Sequence, residues 1–79
     1  MNKEKLHTRL ETVFGKIFID IPIKKIQTLN KLNAERWDSL AHLNLIISLE
    51  EEFEISIVYD ELDSITSFSS ALAFLENKN

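Results

Sequence analysis

The chain predicts an all-α fold, a small bundle of three main helices plus one short helix, with a long first loop. Three observations carry this. Apolar residues recur at spacings of three and four along most of the chain. One Gly and one Pro in 79 residues leave few tight turns. The length makes one domain, spanning 1–79, and a chain of this size buries only about 60% of its unfolded surface, so its stability margin is thin.

The first helix is expected over roughly 3–18. Leu6, Leu10, Val13, Phe14 and Ile17 fall on one narrow stripe, with Lys3, Lys5, Arg9, Glu11 and Lys16 elsewhere. Gly15 costs this helix about 1 kcal/mol relative to Ala, so its end is expected to be soft. His7 is expected to be isolated and solvated. Asp20-Ile21-Pro22 ends the pattern, because Pro cannot continue a helix. Residues 20–38 form a long connection. Its Ile23, Ile26, Leu29 and Leu32 are expected to pack it over the core, and connections this long are often functional.

The second main helix starts at Asp38 or Ser39, with Asp38 as a candidate N-cap, and runs to about Phe53. Leu40, Leu43 and Ile47 make one apolar seam; Ile46, Leu49 and Phe53 make an adjoining one. Together they cover more than half the circumference, which predicts a central helix. The exposed ridge is expected to be Ala41, Asn44, Ser48 and Glu51, with Glu52 beside it. Ile55 to Ile57 reads as a strand stub or a loop crossing the core, and Tyr59 to Leu62 as a short helical turn. Thr66 or Ser67 can cap a last helix in which Phe68, Ala71, Leu72 and Leu75 share a face. The tail Asn77-Lys78-Asn79 is expected to fray.

Composition excludes several chemistries. Without Cys there is no disulfide, thiolate metal site or Cys nucleophile. No apolar run approaches the roughly 18 residues of a membrane span. The opening Met1-Asn2-Lys3-Glu4-Lys5 lacks the apolar core of a signal peptide, so a cytoplasmic location is expected. Asp60, Glu61 and Asp63 lack the pattern of a calcium loop, so no metal is expected. Charge is unevenly laid out. Residues 1–37 hold eight Lys or Arg and four acids; residues 38–77 hold nine acids and no Lys or Arg. The acidic half disfavours nucleic acid and suits basic protein surfaces. A monomer is the default.

Chemistry concentrates in Trp37-Asp38-Ser39-Leu40-Ala41-His42-Leu43. This segment resembles the modification site of acyl carrier proteins, in which Asp-Ser-Leu opens the second helix. Leu49-Glu50-Glu51-Glu52-Phe53 is similar to that family's exit from the same helix. Ile65-Thr66-Ser67-Phe68, followed by Ala71 and Leu72, is similar to its entry into the last one. The resemblance covers residues 38–75; residues 3–37 match in pattern and length alone. It implies a carrier, not an enzyme, with 4′-phosphopantetheine from coenzyme A attached to Ser39 by a phosphopantetheinyl transferase. Acyl groups would ride as thioesters on the arm, loaded by a ligase or acyltransferase and passed to a ketosynthase or other acyl-transferring enzyme. Asp38 and Leu40 complete the motif, Asp38 for recognition and Leu40 as an anchor of the helix start in the core. Partner contacts are expected at Ala41, Asn44, Ser48, Glu51, Glu52, Asp60 and Glu61. A serine in the first turn of a helix suits a phosphodiester, since free N–H groups and the positive end of the helix dipole face it.

The chain departs from carriers of ordinary fatty acid synthesis. Arg36-Trp37 stand where that group has Gly two residues before Asp, and Ala41 stands where an acid follows Ser-Leu. The ridge is acidic only from Glu50 onward. Since exposed ion pairs are worth only about 0.2–1 kcal/mol each, several must change together to alter partner choice. The pathway is expected to be fatty-acid-like or specialised, and these departures favour a specialised biosynthetic one. The competing readings are an aminoacyl or peptidyl carrier with the same arm, an unmodified helical interaction adaptor, and a minimal hydrolase using Ser39 with His42, which lies three residues on. Trp37 is expected to pack over the loop.

Overall fold

The computed structural model describes residues 3–32 and 34–78. Four helices in order are α1 (Lys3–Ile17), α2 (Ile23–Ile26), α3 (Ser39–Phe53) and α4 (Phe68–Lys78), with a 3₁₀ helix (Tyr59–Ser64) between α3 and α4. The three long ones and the short 3₁₀ helix make the all-α bundle expected from sequence. The single-turn α2 lies inside the long loop and is an addition.

Aromatic rings fill the centre. Phe14 packs edge-on against Phe68 and Trp37, with centroids 5.1 and 5.7 Å apart, and Phe18 lies 5.3 Å from Trp37. Such pairs contribute about 0.5–1.5 kcal/mol each beyond their area. Around them Leu10, Leu45, Leu49, Ile65 and Ala71 have no exposed surface. Trp37, 3% exposed, is therefore a core residue that roots the end of the loop. His7 is half-buried rather than solvated. Its ring meets Phe68 edge-on at 5.2 Å, and Nδ1 lies 3.6 Å from Glu11, one helical turn on.

The long loop is half packed and half open. Ile26 and Leu29 are buried, but Ile23 and Leu32 are exposed. Backbone bonds tie the loop to the start of α4: Lys31 N–H donates to the Thr66 carbonyl (2.7 Å) and Phe68 N–H to the Leu29 carbonyl (2.9 Å). Ser67 caps α4. Its Oγ accepts from Ser70 N–H while Ser70 Oγ accepts from Ser67 N–H, both at 2.9 Å, so two free amide groups of the helix start are satisfied reciprocally. At the other end Asn77 and Lys78 belong to α4, and Lys78 Nζ pairs with Glu61 at 3.1 Å. That ion pair and the helix itself order the tail expected to fray; Asn79 lies outside the described residues.

The expected face of α3 needs correction. Leu40, Leu43 and Ile47 are 67%, 52% and 45% exposed, whereas Leu45, Ile46 and Leu49 are buried. Apolar residues wrap more of this helix than its neighbours can cover. α1 takes one flank, where Arg9 Nε donates to Glu52 Oε2 at 2.8 Å, its guanidinium donates to the Glu52 carbonyl, and it lies 4.8 Å above the Phe53 ring. The returning chain takes the other. There Ile57 N–H donates to Glu50 Oε2 at 2.9 Å. Ile57 is buried, and residues 55–57 form neither helix nor strand. The Leu40–Leu43–Ile47 stripe is left facing outward. α3 ends at Glu54, whose φ of 52° is left-handed, a conformation ordinarily given to Gly.

Candidate functional site

Ser39 is the first residue of α3 and is exposed. Asp38 sets the helix start. Its backbone is extended, and its carboxylate accepts from Ala41 N–H at 2.8 Å. Its carbonyl accepts from His42 N–H at 2.9 Å, closing the first turn. Asp38 is thus an N-cap, a role worth about 0.5–2 kcal/mol. The carboxylate already occupies the third N–H of the helix. The amides of Ser39 and Leu40, the first two, have no partner within the helix by its geometry. Those two are the free N–H groups of the helix start beside Ser39.

The anchor is Trp37 rather than Leu40. Leu40 is two-thirds exposed and cannot hold the helix start to the core. Trp37 lies in the core immediately before the cap, and its Nε1–H donates to His42 Nδ1 at 3.0 Å. The indole is a donor only, so Nδ1 accepts and the proton of His42 sits on Nε2. From there it is donated to the Leu62 carbonyl at 2.9 Å. The two rings lie nearly parallel, 28° apart, with centroids 6.1 Å from one another. Both ring nitrogens are engaged, so His42 has no lone pair free to take a proton from Ser39. The Ser–His nucleophile is removed by this geometry. Spacing along the helix placed His42 near Ser39; its partners, 5 residues before and 20 after, are set by the fold.

Beside the helix start opens a groove of about 510 Å³ lined by Lys16, Ile17, Glu35, Arg36, Asp38, Leu40, Ala41 and Asn44. Charges on its walls nearly balance, and Arg36 is paired with Asp20 at 2.5 Å. The expected partner surface divides. Asn44, Glu51 and Asp60 are exposed; Ala41 and Ser48 are half-buried. Glu52 is tied to Arg9 and Glu61 to Lys78. Glu61 also accepts from Val58 N–H at 3.0 Å. That bond, then Lys78, holds its carboxyl below the ordinary range. The apolar stripe of Leu40, Leu43 and Ile47 was missed as a surface. Its signal was present in the excess of apolar residues around the helix. Among the described residues no group of His, Asp and Glu is placed to hold a metal, and no helix is long and apolar enough to cross a membrane.

No family model matches the chain. It is 43% identical over 42 residues to the acyl carrier protein of Buchnera aphidicola subsp. Acyrthosiphon pisum (strain 5A), covering 53% of this chain and 52% of that protein. The acyl carrier proteins of strains Tuc7 and APS are 40% identical over 42 residues, with the same coverage. The chain spans about half the length of the curated relatives it matches. Over those 42 residues the chain is thus similar to acyl carrier proteins.

Proposed function

We propose that this chain, acting as one carrier domain, holds acyl groups as thioesters on a 4′-phosphopantetheine arm attached to Ser39. The observation that carries the reading is an exposed serine in the first turn of a capped helix, on a chain with no cysteine. The residues fit the arm. Ser39 is exposed, and the Ser39 and Leu40 amides lie at the positive end of the α3 dipole. Ser39 Oγ would bond to the pantetheine-bearing phosphorus of coenzyme A. The anhydride P–O bond breaks, adenosine 3′,5′-bisphosphate leaves, and the hydroxyl proton passes to a base on the transferase. The arm supplies the thiol that this sequence lacks.

The exposed Leu40, Leu43 and Ile47, bordered by Asn44 and Glu51, support docking of partner enzymes beside the arm: the transferase, a loading ligase or acyltransferase, and a ketosynthase or similar enzyme. A ridge that lacks acids near Ser39 favours a specialised pathway over general fatty acid synthesis. The reading places the carrier in the cytoplasm with the enzyme that modifies it. The test is intact mass after co-expression with a phosphopantetheinyl transferase. A gain of one phosphopantetheine, lost in Ser39→Ala, is expected. No gain with any competent transferase refutes the carrier reading and leaves a helical adaptor.

A further inference from the structure

Most carboxylates and cations of the described residues lie at the surface, but one polar chain runs inward. It links Trp37 Nε1–H to His42 Nδ1, and His42 Nε2–H to the Leu62 carbonyl, at 3.0 and 2.9 Å. It joins three parts of the fold that meet at the His42 ring, three residues after Ser39. Trp37 ends the long loop and is buried against Phe14 and Phe18. His42 closes the first turn of α3 through its amide. Leu62 belongs to the 3₁₀ helix. The imidazole is suited to this because it presents one acceptor and one donor on opposite sides of a rigid ring.

Of the neighbouring side chains of that turn, Ala41 packs against the core but has no polar atom with which to bond another element. Ser39 and Leu40 are exposed, and Leu43 is half exposed. Asp38 caps the turn from within, which fixes its shape but not its direction relative to the bundle. The buried face of α3 sets the course of the helix as a whole, and bonds to groups outside it hold its first turn locally. Among the residues of the first turn, His42 has two of these, to the loop and to the 3₁₀ helix.

We propose that His42 is a positioning residue for Ser39: its bridge between Trp37 and the Leu62 carbonyl aims the first turn of α3, and with it the serine hydroxyl. The inference rests on the carrier reading for its functional consequence. A transferase must bring the hydroxyl in line with a phosphorus atom, and small misplacements of a reacting group cost large factors in rate. The apolar stripe and the Asp38 cap remain intact without the imidazole, so binding to the transferase should persist while turnover falls.

The experiment compares wild type, His42→Phe, His42→Gln and Trp37→Phe as substrates of one transferase. Amide hydrogen exchange of residues 38–42 is measured in parallel. His42→Phe keeps a ring and loses both bonds; His42→Gln keeps an acceptor and a donor. The expected result for His42→Phe is about tenfold lower kcat with KM changed less than about twofold. Residues 38–42 exchange faster and α1 does not, and His42→Gln restores both readouts. Trp37→Phe, which retains an aromatic ring against Phe14 and Phe18, substitutes for His42→Phe if that variant does not fold. Wild-type kcat/KM in the folded variant overturns the proposal. So does wild-type exchange at residues 38–42. Failure of the wild type itself to be modified overturns the carrier reading instead, and the exchange data then decide the positioning role alone.

Discussion

Replacing Leu45 with Ala should cost about 2–5 kcal/mol, while the same change at Leu43, two residues earlier, should cost roughly 0.7–1.5 kcal/mol. Both are leucines in the middle of α3, and helical spacing puts Leu43, not Leu45, on an apolar seam. Leu45 has no exposed surface, so truncation loses the full transfer energy and leaves a cavity. Leu43 is 52% exposed, so about half of the roughly 1.5–3 kcal/mol transfer term is at stake, and the space opens to water rather than to a void. A domain of this size has about 4–12 kcal/mol in total, and each 1 kcal/mol lost lowers the Tm by about 4–8 °C. Leu45→Ala should therefore be marginally folded and Leu43→Ala nearly native. Urea denaturation followed by the fluorescence of Trp37, with Leu45→Met as a volume-conserving control expected to cost less than about 1.5 kcal/mol, measures the contrast. Equal losses at 43 and 45 would refute the assignment of the buried face, and with it the exposed stripe proposed to meet partners.

Three further outcomes are expected. Gly15→Ala should stabilise the chain by about 1 kcal/mol through helix propensity, because a Cβ there meets only Ile26 Cδ1 at 3.9 Å, an ordinary contact; thermal melting reads it, and a loss of stability would mean the α1–α2 packing is tighter than this. Glu54→Gly should relieve a left-handed residue whose strain is about 1–2 kcal/mol, partly offset by the backbone freedom of Gly, about 0.5–1 kcal/mol; the net should be a small rise in Tm, and a fall would place the value of Glu54 in its side chain. Glu61 has its carboxyl held below the ordinary range by Val58 N–H first and Lys78 second. Its contribution is complete above the unfolded carboxylate value and fades as pH falls through the lower folded one. Glu61→Gln should accordingly remove part of the acid loss of stability seen in wild type, and identical pH–stability curves for the two proteins would contradict the pairing.

Local signals in the sequence were strong wherever a residue acts through its own neighbours. Asp38 caps α3 with an amide three residues on, and Ser67 caps α4 the same way; both are legible because capping is a short-range bond. The stripe of α1 was legible too, since five apolar residues on one narrow face leave a single way to bury them. That Ser39 is exposed follows from its place at a helix tip.

Elsewhere the chain left a choice that only packing could make. α3 carries apolar residues around more than half its girth, so its buried face depends on where α1 and the returning 55–65 segment lie. They cover Leu45, Ile46 and Leu49 and leave Leu40, Leu43 and Ile47 in water. The partners of His42, the pairing of Glu61 with Lys78 and the bond of Lys31 to Thr66 join residues 5 to 35 positions apart. The sequence by itself determined the helices, their caps and the presence of a free hydroxyl at position 39. Packing settled which side of α3 meets the core and which groups bond His42, because burial and long-range hydrogen bonds depend on what is near in space, and periodicity records only what is near along the chain.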